Sequence, residues 1–224
     1  MALSQAVEDY LKAIYVLEAD LEDGGVSTTQ VADELGVSSA SVTNMIKRLA
    51  KLGLVRYESY YGARLTDAGR KIALEVIRHH RLLELYLKEV MGYSWDEVHD
   101  EAEKLEHHIS EQFEDKIAEL LNHPTMDPHG DPIPTKEGLI PDVATSPLLE
   151  MEEREPCLLG RVKNQDPELL RYLEKIGLIP GVRLEIVEKA PFKGPITLEI
   201  EGENRVVGYD VASHLYVLDA GEER

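Results

Sequence analysis

Apolar residues recur at helical spacing near the start of the chain. Val7, Leu11 and Ile14 fall on one face of a helix predicted over residues 4–20, which ends before Gly24. The other face of this segment is polar. The pattern therefore predicts an amphipathic helix that packs on a core by one side.

Two shorter helices and a hairpin are predicted next. Ser27 or Thr28 caps a short helix, Ser38 caps a longer one, and the stretch Leu54–Leu65 alternates apolar and polar residues around Gly62. Two helices joined by a tight turn and followed by a hairpin are typical of a winged helix-turn-helix. In that unit the second helix enters the major groove of DNA.

The rest of the chain changes from helical to strand patterning. Helical spacing predicts a long helix over Asp67–Met91 and a helical block over Trp95–Asn122, whereas six prolines in 123–147 predict an extended linker. Beyond the linker, short runs separated by glycine predict a small barrel. Its strands are Cys157–Val162, Val182–Val187, Ile196–Ile200 and Leu215–Leu218, with a helix near Pro167–Ile176. The expected fold class is α+β, mainly α.

Charge is distributed unevenly along the chain, whose formal net charge is −19. Nine Lys and Arg accompany three acids between Ser41 and Arg81, whereas five basic residues accompany twenty acids between Leu82 and Glu155. This pattern fits one DNA-facing part and one cation-facing part, and it equally fits an acidic surface with a chance basic stretch. Charge alone does not separate the two interpretations.

Composition narrows the chemistry that is available. Cys157 is the single cysteine, so an internal disulfide and a cysteine-based zinc site are excluded. Any metal must then be held by His, Asp and Glu. No apolar run of about 18 residues and no secretory leader are visible, so we expect a cytoplasmic protein that does not contact the membrane.

The second of the two short helices provides the predicted DNA surface. Its first turn is small and polar, and basic residues follow on the same helix and on the hairpin. The candidate DNA-binding residues are Thr28, Ser38, Ser39, Ala40, Ser41, Thr43, Asn44, Lys47, Arg48 and Arg64. Similar three-helix units also serve as protein-interaction or dimerisation modules, but the cap, turn, basic residues and wing together favour DNA.

A group of Glu and His residues in the acidic half predicts a metal site. Glu103, Glu106 and His107 are spaced i, i+3, i+4 and, with His99, flank the apolar stripe of their helix. Half-buried carboxylates require a compensating cation or protons, although a solvated helix edge has the same spacing. Asp9, on the polar face of the first helix, adds a carboxylate that could complete a site across a domain boundary.

Several runs resemble the diphtheria toxin repressor family of metal-dependent regulators. The matching runs are Glu8–Tyr15, Ser41–Thr43, Leu52–Val55, Leu65–Arg70, His80–Glu84, Val98–Ala102, Glu106–His107 and Asp127–Pro134. The resemblance covers the whole chain. It implies a winged helix-turn-helix domain over 1–72, a helical metal-binding and dimerisation domain over 73–140, a linker over 141–155 and an SH3-like domain over 156–224.

The same resemblance implies a function. A homodimer of this family binds a palindromic operator when it holds metal, and it represses metal-uptake genes. The family's regulatory site matches Asp9, Glu103, Glu106 and His107. Asp and Glu at the first two of these positions are the pattern of the manganese-sensing branch, and oxygen ligands favour Mn(II), with Fe(II) chemically close. Lys12 replaces a glutamate that helps to bind a second ion in some manganese regulators, which argues against a binuclear site.

An ancillary metal site is also implied by the resemblance. It matches His80, Glu84 and His99, and the alignment places its barrel ligand at Asp166, with Glu168 as the neighbouring alternative. A His–Glu pair at i, i+4 is also common on ordinary helix surfaces. The remaining histidines, including His129, are interpreted as surface or packing residues.

Two other functions, a metallohydrolase and a metal-independent regulator, predict different properties. A metallohydrolase would need a His-Glu-x-x-His run, a nucleophile beside a base or a glycine-rich phosphate loop, and the sequence has none of them. We therefore expect a protein that is not an enzyme. A metal-independent winged-helix regulator would keep its DNA binding after Glu103→Ala, whereas a metal-dependent repressor would lose it.

Overall fold

The computed structural model describes residues 3–19, 21, 24–58 and 60–219. Position 20, the predicted end of the first helix, lies outside the described residues, as do position 59 in the predicted hairpin and 220–224 in the predicted barrel domain. The chain forms two compact units. The first contains residues 3–80, 105–110 and 134–139, and the second contains 81–104, 111–133 and 140–219 within the described part of the chain.

The first unit contains the predicted winged helix-turn-helix. Its elements are α1 (Gln5–Ala19), α2 (Thr28–Leu35), α3 (Ser39–Lys51), β1 (Val55–Glu58), β2 (Gly62–Leu65) and the start of α4 (Asp67–Tyr86). The two strands pair antiparallel from Val55–Leu65 to Glu58–Gly62, and Val26 forms a bridge to Ala63. The predicted helices and hairpin are thus confirmed.

Side-chain caps define the helices of this unit. The Ser27 hydroxyl accepts from the Gln30 amide while the Gln30 side chain accepts from the Ser27 amide, which settles Ser27 as the cap of α2. The Ser38 hydroxyl caps α3 by accepting from the Ser41 amide. Val42, Ile46 and Leu49 are fully buried against α1 and the hairpin, so α3 packs by one face and leaves the other exposed.

The predicted helical block over Trp95–Asn122 is wrong as a single element. It forms α5 (Val98–Leu105) and α6 (Glu111–Leu120), and residues 106–110 form a turn. Ser110, a residue type that favours helix starts, directly precedes α6. The turn lets Glu106 bury its carboxylate in contacts within the first unit, and these contacts stabilise the break. The predicted helix over Asp67–Met91 is confirmed, with a wider π-helical turn over Leu87–Met91.

The last part of the chain forms the predicted barrel-like sheet. Its elements are β3 (Ser146–Pro147), β4 (Pro156–Val162), α7 (Pro167–Lys175), β5 (Arg183–Lys189), β6 (Ile196–Ile200), β7 (Glu203–Val207), α8 (Tyr209–Ala212) and β8 (Leu215–Asp219). The strands pair antiparallel in the order β3-β8-β4-β5-β6-β7. Apart from β7 and the short β3, each of these strands was predicted. Trp95 packs in the hydrophobic core beneath this sheet.

The described helices include no segment that is long and apolar enough to span a bilayer.

Candidate metal centres and DNA-binding surface

The exposed face of α3 carries the predicted DNA-binding side chains. Ser39, Ala40 and Asn44 are exposed, and Lys47 and Arg48 continue the same accessible face. An exposed N-terminal turn followed by basic residues fits a helix that reads base edges and contacts flanking phosphates.

Three of the predicted hydroxyl groups already have hydrogen-bond partners. The Ser38 and Ser41 hydroxyls lie 2.9 Å apart at the helix cap, and the Thr43 hydroxyl donates to the Ser39 carbonyl at 2.8 Å. Arg64 on β2 donates from Nε to the Gly24 carbonyl at 2.5 Å. Arg64 is thereby oriented by the loop before α2.

Three of the predicted regulatory-site residues form a first cluster: Asp9, Glu106 and His107. One ligand atom from each lies within 4.8 Å of the others. His107 Nε2 is 2.7 Å from Asp9 Oδ1 and 3.3 Å from Glu106 Oε1, so α1 and the turn after α5 meet here. Two carboxylates and an imidazole nitrogen are a donor set that suits a divalent ion such as Mn(II) or Fe(II).

Glu8 orients the imidazole of the first cluster. Its carboxylate lies 2.6 Å from His107 Nδ1, so that nitrogen donates to Glu8 and Nε2 faces Asp9 and Glu106. A carboxylate behind the histidine is the usual way in which metal sites fix a ring and its tautomer. Sequence reasoning missed this role, although Glu8 is the direct neighbour of Asp9.

Glu106 is the most buried carboxylate of the first cluster, with its side chain 2% exposed. The ammonium of Lys12 lies 2.8 and 2.9 Å from its two oxygens, and His80 Nδ1 lies 2.5 Å from Oε2. Burial raises the pKa of Glu106, but hydrogen bonds and charge from His80 and Lys12 outweigh burial and lower the pKa overall. Burial dominates at Asp9 and raises its pKa, despite the opposing effect of His107.

The fourth predicted ligand, Glu103, belongs to the second unit. Its side chain is 56% exposed at the end of α5 and lies 3.9 Å from His99 Nε2. Ligation of a regulatory ion by Glu103 remains a prediction.

The predicted ancillary ligands are drawn from both units of the chain. His80 belongs to the first unit, where it contacts Glu106, and Glu84, His99 and Asp166 belong to the second. His99 Nδ1 lies 3.1 Å from Glu84 Oε1. Asp166 caps α7 by accepting from the backbone amides of Glu168 and Leu169. Asp166 therefore already has a structural role, and its ligation of metal remains a prediction.

A second cluster of possible metal ligands lies within the second unit: Glu84, Asp127 and His129. All three residues are buried, and one ligand atom from each lies within 4.8 Å of the others. His129 Nε2 lies 3.2 Å from the Trp95 carbonyl, so Nε2 donates and Nδ1 faces the cluster, 3.9 Å from Glu84 Oε2. Among the described residues, His129 Nδ1 has no hydrogen-bond partner.

The second cluster is held by its own backbone and by Trp95. Asp127 Oδ1 accepts from the amides of His129 and Asp131, which fixes the carboxylate. The His129 ring stacks on Trp95, with ring centroids 5.6 Å apart. The backbone carbonyl of His129 accepts a hydrogen bond from the Val162 amide of β4. The proline-rich stretch is therefore an ordered segment that presents Asp127 and His129 on one side.

Protonation in the second cluster reflects its burial. Burial, reinforced by the charges of Asp131 and Glu84, raises the pKa of Asp127 to about 7. Burial alone would lower the pKa of His129, but the Glu84 and Asp127 carboxylates outweigh it and raise that pKa. Raised pKa values at two buried groups, Asp127 and His129, fit a cation site, because a divalent ion would replace the protons that these groups otherwise hold.

Gly130 permits the close approach that holds this segment. Its φ is +87°, and a Cβ there would lie 1.9 Å from the Gly160 carbonyl oxygen. We expect Gly130→Ala to lower the free energy of unfolding by about 3 kcal/mol or more, because strain and backbone overlap add together. Urea unfolding measures this. Gly177→Ala is the matched control, since its φ is +77° with no atom within 4 Å, and it should cost about 1 kcal/mol. Equal losses would contradict the close approach.

Three family models match the chain. Residues 2–63 match the N-terminal DNA-binding domain of iron-dependent repressors, and 66–135 match their metal-binding and dimerisation domain. Residues 146–218 match the FeoA domain.

Relatives and solved structures agree with these models. The iron-dependent repressor IdeR of Mycobacterium tuberculosis is 34% identical over 218 residues, covering 91% of this chain and 92% of the relative. The diphtheria toxin repressor of Corynebacterium efficiens is 36% identical over 198 residues, covering 84% and 85%. A manganese-dependent transcriptional repressor in complex with manganese matches with a TM-score of 0.85 and 37% identity, covering 95% of this chain and 99% of that one.

Proposed function

The chain belongs to the iron-dependent repressor family, whose members are metal-dependent DNA-binding repressors and not enzymes, and we propose that it represses metal-uptake genes when Mn(II) fills its first cluster. The observation that carries this proposal is the first cluster itself. Asp9 on α1 meets Glu106 and His107 from the turn after α5 within ligating distance of one ion. Fe(II) is the alternative metal.

The donor set supports the choice of metal. Asp9 and Glu106 supply carboxylate oxygens and His107 supplies an imidazole nitrogen, and no thiolate is among them. Hard oxygen donors suit Mn(II), whereas thiolate-rich sites select softer metals. Glu103 is the proposed fourth ligand.

Metal would act by fixing α1. The carboxylates of Asp9 and Glu106 repel each other unless a cation compensates them. Bound metal supplies that charge and joins α1 to the turn at 106–110. Because α1 packs in the same core as α3, a fixed α1 favours one placement of the recognition helix. Metal then shifts the equilibrium towards the DNA-competent state only to the extent that it binds that state more tightly than the other state.

The expected partners follow from the same proposal. Two copies of the chain would present two recognition helices to a palindromic operator, within the cytoplasm. The proposed DNA contacts are Thr28, Ser38, Ser39, Ala40, Ser41, Thr43, Asn44, Lys47, Arg48 and Arg64. We retain the boundaries 1–72, 73–140, 141–155 and 156–224 as the proposed domain division.

A second ion is proposed at the second cluster, with Glu84, Asp127 and His129 as its ligands. This set differs from the ancillary set predicted from the sequence, which paired Glu84 with His80, His99 and Asp166. Both sets share Glu84. The support for Asp127 and His129 is their burial and the direction of His129 Nδ1.

The direct test is DNA binding as a function of metal. A duplex is selected from a random pool with Mn(II)-loaded protein, and its binding is then titrated with Mn(II), Fe(II) or a chelator at fixed salt concentration. We expect tight binding with Mn(II) and loss of binding with chelator. Equal binding in both conditions would identify a metal-independent winged-helix regulator instead.

Glu8→Gln should weaken Mn(II) binding to the first cluster by about 10- to 100-fold, because the amide no longer holds His107 as a charged acceptor does. Calorimetric titration of the metal-free protein measures the change. Glu34→Gln, an exposed change on α2, is the control and should leave the affinity unaltered. An unchanged affinity in Glu8→Gln would show that His107 needs no carboxylate behind it.

A further inference from the structure

Lys12 occupies the coordinating oxygens of Glu106. Its Nζ lies 2.8 and 2.9 Å from the two carboxylate oxygens and 3.3 Å from His80 Nδ1. The Lys12 side chain is 18% exposed and that of Glu106 is 2% exposed, so the pair is largely shielded from water. Both oxygens that a metal ion would use are therefore engaged by a positive charge of the protein itself.

We propose that Lys12 is an internal cation that competes with the divalent ion for Glu106 and so sets the metal concentration at which the first cluster fills. The inference rests on the proposed metal site. It concerns the affinity of that site and not its existence.

Electrostatics require the exchange. A buried carboxylate needs a compensating charge, and the Lys12 ammonium provides one to Glu106 when no metal is bound. A divalent ion at Asp9, Glu106 and His107 makes that charge redundant, and at this separation the ion repels the ammonium. Binding must therefore break both hydrogen bonds between Lys12 and Glu106.

The side chain has a route away from the site. Lysine carries its charge on a flexible four-carbon stem, and the partial exposure of Lys12 lets the ammonium turn towards water. The measured metal affinity then equals the intrinsic affinity of the ligands reduced by the free energy of displacing Lys12. The metal-free and metal-loaded proteins differ in which α1 residue binds Glu106: Lys12 in the former, and Asp9 through the ion in the latter.

The test compares Mn(II) affinity in variants of Lys12, in full-length protein carrying His129→Ala so that the second cluster does not contribute. Lys12→Met removes the charge and should bind Mn(II) at least about tenfold tighter, the size expected for lost charge-assisted hydrogen bonds. Lys12→Gln, a polar neutral side chain, should also bind more tightly if the Met variant folds poorly. Lys12→Arg keeps the charge and should stay near the wild type, as should the exposed control Lys51→Met.

A second measurement distinguishes a Lys12 that competes with the metal for Glu106 from a Lys12 that only stabilises the site. The metal-free Lys12→Met protein should melt at a lower temperature than the wild type, because Glu106 loses its compensating charge, and Mn(II) should restore its melting temperature. Equal or weaker Mn(II) binding by both neutral variants would overturn the proposal and assign Lys12 a supporting role. Identical isotherms for wild type and Glu106→Gln would refute the metal site itself, and the competition with it.

Discussion

Asp9→Ala should lower the Mn(II) affinity of the first cluster by on the order of 100-fold and abolish Mn(II)-dependent operator binding. Asp9 is the ligand that α1 contributes, and it lies 2.7 Å from His107 Nε2. Without Asp9, an ion held by Glu106 and His107 has no ligand on α1. The ion then no longer fixes α1 and the helices that contact DNA. Calorimetry measures the affinity, and fluorescence anisotropy of a labelled duplex measures DNA binding.

Two controls make this result specific. Asp142→Ala removes an exposed carboxylate and should change neither quantity. Asp9→Ala should still bind non-specific DNA at low salt, because the basic face of α3 is intact. Mn(II)-dependent operator binding at wild-type strength in Asp9→Ala would place the regulatory ion elsewhere.

Metal affinity of the second cluster should rise by about 10- to 100-fold between about pH 6 and about pH 8. The pKa of Asp127 is about 7, so its carboxyl is mostly protonated below that pH and mostly ionised above it. A metal ion binds the carboxylate only after the proton leaves. Affinity is therefore lowest in acid, increases through pH 7 and levels off above it, and the raised pKa of His129 acts in the same direction.

This prediction is measured in a Glu106→Gln background, where the first cluster contributes little. Calorimetric titrations in buffers of different ionisation enthalpy count the protons released. Asp127→Asn removes the titrating group and should bind weakly at every pH. A flat pH profile in the protein that retains Asp127 would contradict its role as a ligand.

The first cluster was predictable from sequence in its members but not in its geometry. Helical spacing brought Glu106 and His107 together, yet the helix ends at Leu105 and both residues lie in a turn. Spacing reports which residues share a helical face, and it does not report where side-chain contacts outweigh the helical hydrogen bonds. Glu8 was missed because a carboxylate behind a histidine has no fixed separation in sequence.

The second cluster was missed for a different reason. The prolines of 123–147 correctly predict an absence of helices and strands over most of that stretch, but the stretch is not the extended linker that they also predict. Asp127 and His129 are nevertheless buried. The polar residues Asp127, His129 and Asp131 among the prolines were the available signal, but their spacing does not reveal the turn that brings them together, in which the Gly130 amide donates to the Asp127 carbonyl. The edge strand β7 was missed because its Glu, Asn and Arg residues lack apolar alternation.

The stacking of Trp95 on His129 gives the protein an optical probe of its own. The sequence has a single tryptophan, so its emission reports one place in the molecule. A protonated imidazole in contact with an indole quenches fluorescence, and a diamagnetic ion such as Cd(II) that displaces the proton relieves that quenching. Emission of the unlabelled protein should therefore follow filling of the second cluster alone, and the affinity of that cluster becomes measurable without a dye.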